Sequence, residues 1–187
     1  MDTLHEKRIA VLVTGGVEEV ELTKPVEFLR AKGAEVTVIT PDLEEYERGI
    51  KTKRSLEMGE TQRADSVLGD VAADDFDALY IPGGHSPDRL RLAPGAIDFV
   101  KAFADKPLFA LCHGPQLLIS AGLVCDRTLT SWPSIAVDLC NAGANWVDRE
   151  VVIDNNLITS RNPHDIPAFN AAIEKMLTHP EEMGKAA

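Results

Sequence analysis

The sequence predicts an α/β fold with a mostly parallel sheet covered by helices on both faces. Strand-like and helix-like segments alternate along the chain, the pattern that builds such a layered fold. The runs RIAVLVT (8–14), DALYIPGG (77–84) and PLFALC (107–112) are apolar almost throughout, as strands buried on both faces are. Two of these runs, 8–14 and 77–84, end in or at glycine pairs, and the third passes directly into a helix-like segment.

The elements follow in order. RIAVLVT reads as a buried strand ending at Gly15-Gly16. Residues 25–32 read as a helix, with Pro25 suited to a first turn and Gly33 to the position past the last. AEVTVIT (34–40) alternates with β-branched residues and reads as strand. Residues 41–76 are polar and lack a period, so a hairpin or two is expected there. After the strand at 77–84, Ile97, Val100 and Phe103 have helical spacing. PLFALC is strand and GPQLLISAG (114–122) a short helix with a glycine stop. A strand at 128–131 and a helix at 134–141 come next, then a hairpin at 150–160 turning at Asn155-Asn156. Ile166, Phe169, Ile173 and Leu177 mark a last amphipathic helix. No repeat or low-complexity tract interrupts this, and residues 1–187 read as one domain.

Bulk properties exclude several functions. The chain is 44% hydrophobic, and no apolar run nears the roughly 20 residues of a membrane span. Thirty acids outnumber nineteen bases for a net charge of −11, which disfavours a nucleic-acid partner. The N-terminus does not read as a secretory signal. Three widely spaced cysteines without a C-x-x-C fit neither a disulfide framework nor a zinc site, and a reducing, cytoplasmic setting is expected. No phosphate loop, dinucleotide fingerprint or metal-ligand cluster occurs, so neither cofactor nor metal is expected.

Ligands of parallel sheets bind beyond the carboxyl ends of the strands. Residues 15–21, 83–88 and 112–116 should meet there. Cys112 closes a strand and a helix begins at once, so the turn should strain its backbone and expose its side chain, as in a nucleophile elbow. Free N–H groups at such a turn favour thiolate. His113 is either a side-chain partner of the thiol or, through its backbone N–H, an oxyanion donor. Gly83 and Gly84 offer bare amides for the same purpose. His85 shares the edge as a binding candidate or a solvent-facing side chain. Of Glu18, Glu19 and Glu21, one partly buried carboxyl would keep its proton and hydrogen-bond the sulfur, and Glu21 is assigned that place.

ALCHGPQLLISAG, TSWPS, NAGANWVD, PGGHSPDRLRL and GVEEVELTKP together resemble the PfpI side of the DJ-one/PfpI superfamily, the intracellular protease I and protein deglycase group, over nearly the whole chain. The resemblance implies a flavodoxin-like three-layer αβα sandwich with an added hairpin, a homo-oligomer (dimer or higher), a reactive and easily oxidised Cys112 followed by His113, and a protonated Glu21. It sets Asp88 where PfpI-type members carry a glutamate that reaches a neighbouring subunit's Cys-His pair. It sets Trp132 where the deglycase branch has a histidine, which makes the pocket more apolar. Segment 41–76 is longer and more charged than is usual in the group.

The expected function is a stress-protective, cysteine-dependent hydrolase acting on glycated or aldehyde-adducted proteins or peptides. One alternative is a redox-sensing or chaperone-like protein in which oxidation of Cys112 is the event that matters. Another is a class I glutamine amidotransferase, suggested by Cys112, Gly114 and Gln116 with His179-Pro180-Glu181. Here that last triplet follows an amphipathic helix, whereas in amidotransferases it follows a strand.

Overall fold

The structure, a computed structural model, describes residues 4–180. The chain runs through β1 (Arg8–Leu12), α1 (Glu19–Ala31), β2 (Glu35–Thr40), α2 (Leu43–Arg48), β3 (Ile50–Arg54), β4 (Glu57–Gln62) and β5 (Ser66–Val67). Next come β6 (Ala78–Ile81), α3 (Ser86–Leu90), α4 (Ala96–Lys101), β7 (Leu108–Leu111) and α5 (Pro115–Ala121). It closes with β8 (Thr128–Leu129), α6 (Ala136–Asn141), β9 (Asn145–Trp146), β10 (Val151–Asp154), β11 (Leu157–Ser160) and α7 (Ile166–Thr178).

The main sheet has the order β10-β11-β7-β6-β1-β2-β5. Only β10 is antiparallel to its neighbour; every other adjacent pair is parallel. The two-residue side-chain period of strands sorts the core into two halves. Ile9, Val11, Tyr80, Phe109 and Leu111 join Val26, Leu29, Phe169 and Ile173 on the face covered by α1 and α7. Ala10, Leu12, Leu79, Ile81 and Ala110 join Leu90, Val100, Leu117 and Leu139 on the face covered by α3 to α6. The fold is a three-layer α/β sandwich. Among the described residues no helix is long and apolar enough to cross a membrane.

Three local features depart from the sequence reading. α1 begins at Glu19, so Pro25 sits inside the helix. A proline there leaves the carbonyl four residues earlier without its helical N–H. That carbonyl belongs to Glu21, and the Tyr80 hydroxyl donates to it at 2.6 Å. Segment 41–76 holds the expected hairpin, β3–β4, and adds α2, the short strand β5 and short turns that no period announces. α2 buries none of its residues and so has no apolar stripe to read; Asp42 caps it by accepting the Glu45 N–H at 3.1 Å. β8 pairs with β9 in a separate two-stranded ribbon. The turn at Asn155 takes the positive φ expected of it, 51°.

The hairpin is fastened to the start of α1. Glu19 accepts from the Thr52 hydroxyl at 2.9 Å, from Arg54 and from the Glu60 N–H. Lys53 N–H donates to the Val17 carbonyl at 2.7 Å. The hairpin tip therefore stands at the carboxyl edge of the sheet.

Candidate active site

Cys112 follows the last residue of β7 with φ of +59°. A left-handed backbone costs a non-glycine residue about 1–2 kcal/mol, so the surroundings must hold it. They do so through three hydrogen bonds. Cys112 N–H donates to the Ser160 carbonyl, Trp132 N–H donates to the Cys112 carbonyl, both at 2.9 Å, and Gly114 N–H donates to the Leu111 carbonyl at 2.8 Å. Cys112 keeps only 6% of its surface exposed and faces a cleft of about 620 Å³. Cys125 and Cys140 are exposed and lie outside this cleft.

Gly83 packs directly against the thiol. A Cβ there would stand 2.5 Å from Glu21 Oε2 and 2.7 Å from the Cys112 Cβ. Its N–H donates to Glu21 Oε2 at 2.9 Å. The other carboxyl oxygen, Oε1, is buried with no hydrogen-bond partner that meets ordinary geometry, and the Cys112 thiol interacts with the carboxyl group. Burial lifts the Glu21 pKa from 4.5 to about 8, against the pull of Cys112 and the Gly83 amide and with a further push from Glu18. At neutral pH Glu21 holds its proton.

Burial also pushes the Cys112 thiol up, followed by the charge of Glu21 and its hydrogen bond, while the amides of His113 and Gly84 pull it down. Below pH about 8 Glu21 is neutral and no longer repels a thiolate. Desolvation alone then opposes the anion, and two amides favour it. His113 Nδ1 lies 3.3 Å from the sulfur, and its ring stacks on Trp132 with centroids 6.2 Å apart. Burial and then His85 lower the His113 pKa, so its imidazole is neutral at pH 7. Both the imidazole and the backbone amide of His113 therefore lie beside the sulfur.

Among the described residues no group of three or more His, Cys, Asp or Glu side chains is arranged to hold a metal. A second groove of about 670 Å³ lies between α1 and α7; it is lined largely by apolar residues, and its described lining includes no cysteine, serine, threonine or histidine.

The family model described as DJ-1/PfpI family matches residues 7–176. The chain belongs to the DJ-1/PfpI family. General stress protein 18 of Bacillus subtilis is 47% identical over 167 residues, covering 88% of this chain and 94% of its own. Protein/nucleic acid deglycase 2 of Escherichia coli is 42% identical over 174 residues, covering 91% and 98%. Among solved structures, Drosophila melanogaster DJ-1beta superposes with a TM-score of 0.82 at 30% identity, over 96% of this chain and 91% of its own. A two-domain protein of Anabaena variabilis, with a dj-1/thij/pfpi-like and a ferritin-like domain, gives 0.83 at 37% identity over 91% of this chain. This chain spans half the length of that protein.

Within this family fold, Glu18, Gly84, His85, Asp88 and Trp132 all line the same cleft as Cys112, His113 and Glu21. Gly84 has φ of +74°, and a Cβ there would stand 2.4 Å from the Glu18 nitrogen. Glu18 accepts the Ser55 N–H at 3.0 Å; Trp132 is 40% exposed on the far wall. Gln116, expected at this edge with segment 112–116, also lines the cleft; Ser55, Leu56 and Pro163 complete the lining and are not among the residues the sequence points to. Gln116 carried a signal in the Cys-x-Gly-x-Gln spacing; Leu56 is a lone apolar residue in a charged run. His179 follows the end of α7 while Pro163, before its start, lines the cleft. A helix of 13 residues spans about 20 Å, so His179 lies at the opposite edge of the sheet from Cys112. Glu181 lies outside the described residues.

Proposed function

We propose that this family member is a cysteine-dependent hydrolase of the PfpI type that acts on glycated or aldehyde-adducted proteins or peptides. The observation that carries the reading is the convergence on one sulfur of a left-handed backbone, two amides, an imidazole nitrogen and a neutral carboxyl. The thiol proton passes to His113 Nδ1; as the adduct's bond to the substrate amine or thiol breaks, its hydroxyl-bearing carbon becomes a carbonyl, and the sulfur adds to that carbon. The electron pair of the carbonyl moves onto oxygen, which the Gly84 and His113 amides hold. His113 returns its proton to the leaving group. Water then takes the place of the sulfur on that carbon, releasing the aldehyde as its hydrate and restoring the thiol, with no net oxidation. Glu21 serves throughout as a hydrogen-bond donor.

The protein acts as a single domain in a cytoplasmic, reducing setting and as a homo-oligomer; Asp88 lies on the rim of its own cleft. Among the relatives, the name of one is deglycase and of another general stress protein; both names agree with this reading. The test compares wild type with Cys112→Ser on methylglyoxal-modified peptides. Turnover confined to the wild type is expected; equal turnover by the variant contradicts the proposal.

The second reading, a redox sensor, draws on the same neutral Glu21 and amides, which would also hold the oxygens of an oxidised Cys112. It is favoured if wild type shows no turnover while peroxide converts Cys112 to the sulfinate ahead of Cys125 and Cys140.

A further inference from the structure

Among the described residues, the cleft around Cys112 is lined by negative charge, from Glu18 and Asp88, and by no lysine or arginine. The arginines on the surrounding elements are engaged elsewhere. Arg54 of the hairpin pairs with Glu19 at 2.8 Å and Glu60 at 3.2 Å. Arg89 of α3 donates to the Gly15 carbonyl at 2.9 Å and faces Glu45 at 3.8 Å. Arg161, ahead of α7, pairs with Asp148 at 2.7 Å and Asp165 at 2.8 Å. Each of these three sits on its own carboxylate; Arg91, just past α3, donates to the Ser120 hydroxyl at 2.8 Å, and Lys53, paired with Glu18 through the backbone, is not among the cleft's lining residues.

The remaining polar groups point the same way. Gln116 Oε1, in the cleft wall, is a buried acceptor without a hydrogen-bond partner. The donors beside the sulfur are the Gly84 and His113 amides, where the carbonyl oxygen of a substrate belongs. Glu18 is held in place by the Ser55 N–H at the hairpin tip, so its charge is positioned before any ligand arrives. The net charge of −11 adds a long-range field of the same sign.

From this arrangement we infer that the site selects adducts whose flanking chain carries positive charge and rejects anionic ones, with Glu18 and Asp88 as the specificity-determining residues. The inference rests on Cys112 as the nucleophile and specifies the substrate class for it: a modified residue in a basic peptide context. A cation within roughly 6–10 Å of two partly exposed carboxylates gains several-fold in affinity and an anion loses as much, a span of about tenfold at low ionic strength.

The test uses three peptides, each with one methylglyoxal-modified cysteine, flanked on both sides by trimethyllysine, glutamine or glutamate. Trimethyllysine keeps its charge and cannot itself be glycated. Loss of the adduct is followed by mass spectrometry, corrected for spontaneous loss, and read as kcat/KM. The expected order is trimethyllysine, glutamine, glutamate, spanning about tenfold. It should shrink to within about twofold in the Glu18→Gln, Asp88→Asn double variant and at about 0.5 M salt. Glu18→Gln retains an acceptor for Ser55, so collapse of the order there reports charge and not a loosened hairpin. A wild-type span within twofold, or one unchanged in the double variant, overturns the inference. Binding of the same peptides to Cys112→Ser separates the two levels. A charge order in Kd without wild-type turnover removes the nucleophile and leaves the selectivity; turnover without a charge order does the reverse.

Discussion

Replacing Glu21 by glutamine tests the buried carboxyl directly. The folded state raises this group from 4.5 to about 8, chiefly by burial. Between these values the unfolded chain has lost the proton and the folded chain still binds it. Stability therefore falls as pH rises through the window, with a limiting slope of about 1.4 kcal/mol per pH unit. The stabilisation is fully present below 4.5, and over the whole window roughly 5 kcal/mol is lost, levelling off above pH about 8. Glutamine has the same shape, accepts from the Gly83 N–H and offers a permanent donor to the sulfur, but binds no titrating proton. The Glu21→Gln variant should gain on the parent with that slope as pH rises from 5 to 8. Urea unfolding, followed by tryptophan fluorescence at half-unit steps of pH, measures it. A Cys112→Ser background removes the thiol, and the difference between the two proteins cancels every other titrating group. A difference that stays constant from pH 5 to 8 would mean that Glu21 is charged in the folded protein, and the proposed proton arrangement would fail.

Two other perturbations follow from the geometry. Tyr80→Phe leaves the Glu21 carbonyl unbonded and should cost about 1–3 kcal/mol; Pro25→Ala restores the helical N–H, so the cost should shrink in that background, and a double-mutant cycle with no coupling would refute the link. Gly83→Ala places a Cβ 2.5 Å from Glu21 Oε2 and 2.7 Å from the Cys112 Cβ. It should cost about 1–3 kcal/mol and slow alkylation of Cys112, whereas unchanged melting and labelling would show that the bend is loose.

The layered fold was readable because its strands are near-continuous apolar runs and its long helices carry stripes. Cys112 was readable for a related reason: a strand ending and a helix beginning around one residue leave the chain little room but to bend there, and the structure gives it φ of +59°. Glu21 was harder. With the helix placed at Pro25, the three carboxylates had no defined phase. The true start at Glu19 puts Glu21 on the stripe with Leu22, Pro25, Val26 and Leu29, the buried residues of α1. Pro25 concealed this, because its compensation comes from Tyr80, distant in sequence. The hairpin tip was not readable at all. Leu56 is 96% exposed, and its place on the cleft is set by contacts of Glu18 and Glu19 with residues more than thirty positions away.

Alkylation with iodoacetamide at pH 6 to 9, with each modified cysteine located by peptide mass, asks most directly whether Cys112 is the nucleophile. Exposure alone would favour Cys125 and Cys140, which are open to solvent, over the buried Cys112. The expected result is that Cys112 reacts fastest across the range and slows when Glu21 is replaced by leucine. Labelling of Cys125 and Cys140 first, with Cys112 modified only after unfolding, would contradict it.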